Sequence, residues 1–99
     1  MKKNQEALRI LHAYHNAVRQ ALIQEWDPIG VGAYAEAQDE YDSYALKLVG
    51  MLLLKKSRNE IFNYLWWLER EYMGLTGDKA ATERFVDRLL QIAAEFDAE

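Results

Sequence analysis

Residues 57–75 read S-R-N-E-I-F-N-Y-L-W-W-L-E-R-E-Y-M-G-L, and this stretch decides the fold class. It opens on a capping box, because Ser57 as N-cap is followed three positions later by Glu60, so each side chain can accept a backbone N–H bond from the other residue. It closes on Gly74, which suits the left-handed position after a helix, with Leu75 placed for the accompanying apolar contact. The stretch therefore predicts one helix between Ser57 and Gly74.

Apolar side chains recur at helical spacing in three further stretches. We predict a first helix over about residues 4–25, a second over about residues 39–54 and a fourth after an N-cap at Asp78. No run alternates between polar and apolar side chains as a half-buried strand does. The predicted fold class is therefore all-α: a single domain over residues 1–99, forming a compact bundle of four helices with a long structured first loop.

The same spacing predicts which side chains face the core. The third helix also carries a second apolar face, about 120° from the first, formed by Phe62, Trp66 and Met73. A helix that is apolar on so many sides is either central to its bundle or covered by another chain, so a homodimer through these three residues is one expectation. The predicted inward positions are Ala7, Leu8, Leu11, Tyr14, His15, Val18, Leu22 and Trp26; Tyr41, Tyr44, Ala45, Leu48, Val49 and Leu52; Ile61, Tyr64, Leu65, Leu68 and Tyr72; and Thr82, Phe85, Val86, Leu89, Ile92, Ala93 and Phe96.

Composition excludes several classes of protein. Cysteine is absent, which removes disulfides, thiolate zinc sites and thiol nucleophiles. No apolar run approaches the roughly 20 residues that cross a bilayer. The net charge is −4 and no concentrated basic stripe is present, which disfavours binding to nucleic acid. We therefore expect a cytoplasmic protein with no membrane partner and no cofactor.

Negative charge is concentrated in residues 25–42, which contain six acidic side chains and no lysine or arginine. Asp39 as N-cap of the second helix and Asp42 three positions later would each stabilise that helix by about 0.3–1 kcal/mol. Neither effect explains Glu36 or the missing basic neighbours. We expect Glu36, Asp39 and Glu40 to be exposed and Asp42 to be structural. The six acids are Glu25, Asp27, Glu36, Asp39, Glu40 and Asp42.

The run Trp26-Asp27-Pro28-Ile29-Gly30 is typical of a turn. Asp27 can accept backbone N–H bonds, Pro28 presets its own φ, and Gly30 adopts a conformation that other residues resist. Trp26 continues the inward face of the first helix and would anchor the loop to the core. We therefore assign Trp26, Asp27, Pro28 and Gly30 a structural role.

His12 and His15 lie one helical turn apart and can in principle chelate a metal ion. A catalytic zinc site needs a third ligand, usually at a spacing such as H-E-x-x-H, and a di-iron bundle needs E-x-x-H on two helices. The chain has neither pattern and no Gly-rich phosphate loop, and Ser43 and Ser57 are explained by helix starts. We predict no catalytic residue and no metal ligand.

Four motifs follow one another along residues 20–80: Trp26-Asp27-Pro28-Ile29-Gly30, Asp39-Glu40-Tyr41-Asp42-x-Tyr44, Ser57-x-x-Glu60-Ile61 with Tyr64-Leu65, and Met73-Gly74-Leu75. Their order resembles a family of short, largely uncharacterised bacterial proteins with W-D-P-I/L-G and D-E-Y-D-x-Y motifs. The linker at residues 31–38 is longer than in that pattern. The resemblance implies a small all-α domain without assigned catalysis, and some similar sequences serve as immunity proteins paired with bacterial toxins.

The acidic stretch and the resemblance together predict a protein-binding function rather than an enzyme. The expected role is an immunity or inhibitor-type protein that neutralises a cognate bacterial toxin domain, with a nuclease as first candidate because nucleases need positive clefts. Glu36, Asp39 and Glu40 are the expected charged contacts, with Tyr34 and Tyr41 as amphipathic anchors. Two alternatives stay open: a metal-binding or hydrolase-like protein using His12, His15 and loop carboxylates, and a structural homodimer.

Overall fold

Four α-helices form the structure, a computed structural model that describes residues 2–26 and 35–97, with side chains from residue 5 and from residue 40 in these two ranges. The described ranges contain no strand, so the predicted all-α bundle of four helices is confirmed. None of the described helices is long and apolar enough to span a membrane. The helices are α1 (Lys2–Ala21), α2 (Ala35–Leu53), α3 (Arg58–Trp67) and α4 (Lys79–Asp97); a first π turn (Leu22–Trp26) continues α1 and a second π turn (Leu68–Tyr72) continues α3.

The starts of α3 and α4 are fixed by the caps that the sequence predicts. The Ser57 hydroxyl accepts the backbone N–H of Glu60 at 3.1 Å. The Asp78 carboxylate accepts the backbone N–H of Ala81 at the same distance of 3.1 Å. Each cap satisfies one of the four backbone donors that the first turn of a helix leaves unpaired.

Helix α2 begins earlier than the sequence analysis predicts. Its first residue is Ala35, so Asp39 lies inside the helix and the prediction of Asp39 as N-cap is wrong. The physical reason is that Ala35 and Ala37 are strong helix formers, which extend the helix toward the N-terminus. The expected long first loop, with Asp27, Pro28, Gly30 and Tyr34, lies outside the described residues.

The core lies where α1 packs against α2 and α4, while α3 packs on α4. All the predicted inward positions of α2 are buried, and those of α4 are buried down to Ala93. Trp26 packs on this core from the end of the first π turn. The largest fully buried side chains are Tyr41, Leu22, Leu48, Ile61, Leu65, Leu68 and Leu89.

The first half of α1 differs from its prediction because it extends beyond the core. All side chains of residues 5–13 are exposed, including the predicted core residues Ala7, Leu8 and Leu11. Packing begins at Tyr14, whose ring stacks on Phe96 near the end of α4 with centroids 4.6 Å apart. The overhang contributes to an elongated shape of 47 × 30 × 17 Å.

The second π turn changes which side chains of this segment face inward. A π turn closes its hydrogen bonds one residue further along than an α-helix, so each residue advances by a smaller angle around the axis. Tyr72, predicted to face the core, is therefore rotated outward and is 60% exposed. Glu69 is rotated inward and is only 5% exposed.

Gly74 stops the helix two residues after the end of the second π turn, where the sequence predicts the stop. Gly74 has a φ of +70°, in the left-handed region that side chains disfavour. The Leu75 N–H bonds back to the Glu69 carbonyl at 3.0 Å and the Met73 N–H to the Leu68 carbonyl at 2.8 Å. These bonds form a helix stop that is one residue wider than the usual glycine motif, because it closes a π turn.

Two glycine-to-alanine substitutions test this assignment with opposite signs. Gly50 lies inside α2 and a Cβ there meets nothing within 4 Å, so Gly50→Ala is expected to raise the free energy of unfolding by about 0.5–1 kcal/mol. A Cβ at Gly74 also meets nothing within 4 Å, but the positive φ of Gly74 strains any other residue there. Gly74→Ala is therefore expected to lower the free energy of unfolding by about 1–2 kcal/mol. Urea denaturation of both variants measures the difference, and a neutral Gly74→Ala contradicts the left-handed stop.

Candidate functional site

The acidic stretch is partly neutralised by arginines from elsewhere in the chain. The Glu25 carboxylate lies 3.3 Å from the Arg88 guanidinium of α4. Asp42 forms an ion pair with Arg19 of α1. The expectation that these acids lack basic partners is therefore wrong for Glu25 and Asp42. Glu40 is exposed and has no ion pair among the described residues.

Tyr41 is not available as a contact for a partner, so this expectation is corrected. Its side chain is fully buried, because α2 is held against the end of α1 at this level. The Tyr41 ring packs beside those of Trp26 and Tyr44, with centroid distances of 6.3 Å and 5.7 Å. The side chains of Glu36 and Asp39, like Tyr34, lie outside the described part of the structure, so their role as contacts stays a prediction.

Trp26 and Asp42 are both held by contacts within the chain. The Trp26 ring also stacks on Phe85 of α4, with centroids 6.0 Å apart and planes 21° from parallel. The Asp42 carbonyl accepts a hydrogen bond from Nε2 of His15 at 3.3 Å, in addition to the ion pair of its carboxylate with Arg19. These contacts tie the ends of α1 and α2 together.

Three aromatic side chains pack together in a row, Tyr44 on Tyr72 and Tyr72 on Trp67, and Glu40 lies near Tyr44. We call these four residues the aromatic surface. Trp67 is 49% and Tyr72 60% exposed, and their ring centroids are 5.8 Å apart. Tyr72 meets Tyr44 edge to face at 6.3 Å. Tyr44 is buried beneath them, and burial together with the negative charge of the nearby Glu40 raises its pKa to about 12.

Sequence reasoning assigned Tyr72 to the core and gave Trp67 no role. Trp67 is the last residue of α3, and Tyr72 is the last residue of the second π turn. An α-helical phase carried through this segment cannot predict that the two rings come together. The available signal was Trp67 itself, because a tryptophan outside the inward stripe of a helix is a large apolar surface that lacks a partner.

The two alternative functions, a metal site and a homodimer, depend on the two histidines of α1 and on the second apolar face of the third helix. His12 is exposed and His15 is half-buried. The described histidine, aspartate and glutamate side chains form no group of three that could hold a metal ion. On the predicted dimer face, Phe62, Trp66 and Met73 are all half-buried, and the rings of Phe62 and Trp66 stack at 5.8 Å.

Comparison of the chain with protein-family models, with curated proteins and with solved structures finds no match.

Substitution of Tyr44 tests the burial of its hydroxyl. A pKa raised from 10.0 to about 12 means that the folded state favours the neutral phenol, so this contribution to stability is present below pH 10 and is lost as the pH rises through about 12. Tyr44→Phe is expected to remove this part of the alkaline loss. It is also expected to change stability at neutral pH by no more than about 1 kcal/mol, since the buried hydroxyl lies near Glu40 without the geometry of a full hydrogen bond.

The measurement is thermal unfolding across the alkaline range, together with ultraviolet titration of tyrosinate. Tyr72→Phe is the matched control, because Tyr72 is exposed and its hydroxyl is removed with the same change of one oxygen atom. An alkaline stability profile that is identical in the wild type and in Tyr44→Phe contradicts the assignment.

Proposed function

We propose that this chain is a small protein-binding domain of the immunity or inhibitor type, which neutralises a basic toxin domain through the aromatic surface. The observation that carries the proposal is the contact between two exposed aromatic rings, Trp67 and Tyr72. Tyr72 also packs on Tyr44, which lies near Glu40, an exposed acid without an ion pair among the described residues. No enzymatic step and no cofactor enter the proposal.

The exposed pair of rings supports protein binding for an energetic reason. Tryptophan and tyrosine dominate the residues whose truncation weakens protein interfaces most, because they bury a large area at a small cost in side-chain entropy. Trp67 and Tyr72 pack on each other, and Tyr72 also packs on the buried Tyr44. Their orientations are therefore restricted before a partner arrives, which reduces the entropy lost on binding.

The charge beside the rings supports a basic partner. Glu40 is exposed, and Glu36 precedes it by four residues in α2, a spacing that places two residues on one face of a helix. Negative charge next to an apolar anchor accelerates association with a cationic surface and disfavours acidic partners. A nuclease fits this chemistry because its cleft must attract phosphate. The pairing with a toxin is suggested by the resemblance to the family of short bacterial proteins, some of which serve as immunity proteins.

The test is binding to, and protection from, a toxin domain encoded next to this gene. Trp67→Ala and Tyr72→Ala are each expected to weaken the complex by about 2 kcal/mol, or roughly thirty-fold in Kd, as truncated anchor residues do. Reversal of Glu36, Asp39 and Glu40 to lysine is expected to slow association most at low salt. Calorimetry and stopped-flow kinetics measure the two effects separately, and growth of the producing cells reports protection.

Glu95→Lys is the control for a single charge reversal, because Glu95 is exposed on α4 and the substitution makes the same change of charge as each of the three reversals, away from the aromatic surface. It should leave Kd and protection unchanged. If Trp67→Ala and Tyr72→Ala bind the toxin domain as tightly as the wild type, the aromatic surface is not the contact.

A further inference from the structure

The two π turns line a cavity that the proposed function does not use. Its volume is about 320 Å³, at the lower end of the range for small-ligand sites. The first π turn contributes Glu25 and Trp26, and the second contributes Glu69. Leu75 and Asp78, from the segment between the second π turn and α4, also line the cavity. No lysine or arginine is among the described residues that line it.

The most unusual group in this wall is the carboxylate of Glu69. The residue is 5% exposed, and its Oε2 accepts a hydrogen bond from the hydroxyl of Thr82 at 2.7 Å. No cationic side chain among the described residues lies within ion-pair distance of it. A buried carboxylate is normally paired with a cation, because burial removes the water that would otherwise stabilise its charge.

The arginine next in sequence is held away from this carboxylate. The Arg70 guanidinium lies over the ring of Trp66, 5.4 Å from its centroid. Gly77 packs so closely on this pair that a Cβ at residue 77 would lie 2.8 Å from both the Arg70 Cδ and the Trp66 ring. The Arg70 guanidinium is thus engaged with Trp66, and it forms no ion pair with Glu69.

A second polar group, on a side chain that lines the cavity, lacks a hydrogen-bond partner among the described residues. The Nε1–H of Trp26 is buried and has no hydrogen bond to any described residue. Orphaned buried polar atoms beside an open volume are typical of places that hold water or a ligand. Trp26 and Glu69 come from different π turns, so the two observations are independent.

We propose that this cavity binds one organic cation, a guanidinium or primary ammonium group, against the carboxylate of Glu69. Of the other two acids in the wall, Glu25 is already paired with Arg88 and Asp78 caps α4, so Glu69 is the acid that would receive the cation. The side chains of Trp26 and Leu75 provide apolar surface for an alkyl stem. A metal ion fits less well, because the described acidic side chains form no group of three with suitable geometry. The cation comes either from a side chain of another protein or from a free small molecule, and the site does not depend on the aromatic surface.

The test is NMR titration of the isolated protein with four probes. These are n-butylguanidinium, n-butylammonium, a Gly-Arg-Gly peptide with an acetylated N-terminus and an amidated C-terminus, and the same capped peptide with citrulline in place of arginine. Citrulline has the shape of arginine without its charge. The indole N–H signal of Trp26, assigned through Trp26→Phe, reports occupancy of the cavity. We expect saturable shifts with a Kd of about 1 mM for the cations and none for the citrulline peptide.

Glu69→Gln is expected to weaken binding by about ten-fold or more, because a charge-assisted hydrogen bond is lost while size and the contact with Thr82 are kept. Glu71→Gln is the matched control, since Glu71 is exposed two residues later and the change of charge is identical. Ala81→Leu supplies a second variant that narrows the cavity without altering a carboxylate, and it should also abolish binding.

Each outcome decides the proposal. Binding of all cations supports recognition of a protein side chain, and binding of the free cations alone supports a small-molecule source. Absence of saturable shifts, equal binding of the citrulline peptide, or unchanged binding in both Glu69→Gln and Ala81→Leu overturns it. Because the experiment uses no toxin domain, its failure leaves the proposed function untouched, and loss of the toxin complex leaves the cavity untouched.

Discussion

The packing of Trp26 between α2 and α4 is the contact on which the arrangement of the bundle depends. Its ring touches Tyr41 near the start of α2 and stacks on Phe85 near the start of α4, so three helices are held together at one level. At the opposite end, Tyr14 stacks on Phe96. The contacts at Tyr14 and at Trp26, about three turns apart, both hold α4 alongside α1 and its π turn, and the contact at Trp26 also holds α2. Helix α3 is added through its packing on α4.

The two π turns determine where the unusual side chains are placed. A single π turn alters the angular position of every residue that follows within the helix. In the first π turn, the angular change precedes Trp26, whose ring contacts both α2 and α4. In the second, it turns Glu69 into the wall of the cavity and Tyr72 out beside Trp67. The aromatic surface and the cavity are thus two consequences of one local change in helix geometry.

Local chemistry explains what could be predicted from the sequence. The caps at Ser57 and Asp78 and the stop at Gly74 each depend on a few neighbouring residues, and all three are found where the pattern places them. The periodicity of α2 and α4 likewise predicts their buried faces, because both helices lie within the core along most of their length.

What could not be predicted depends on residues that are distant in sequence. Arg88 reaches Glu25 from a position 63 residues later, and no local pattern shows that the two meet. The exposure of Leu8 and Leu11 follows from where packing on α1 begins, not from their own spacing. The burial of Glu69 depends on the second π turn, which no local pattern shows. Its lack of a cation is equally invisible in the sequence, because it depends on where the cationic side chains of other segments lie.

The distribution of ion pairs is the strongest argument that the cavity has a role other than stability. The pairs Arg88–Glu25 and Arg19–Asp42 involve acids whose side chains are 43% and 41% exposed, where an ion pair contributes about 0–1 kcal/mol. Among the described acidic side chains, Glu69 is the one that is almost fully buried, and its side chain has only the hydroxyl of Thr82 for a partner. A chain organised for stability alone would place its arginines the other way round. A carboxylate that lines a cavity, is oriented by Thr82 and has no cation beside it is instead suited to receive one from outside.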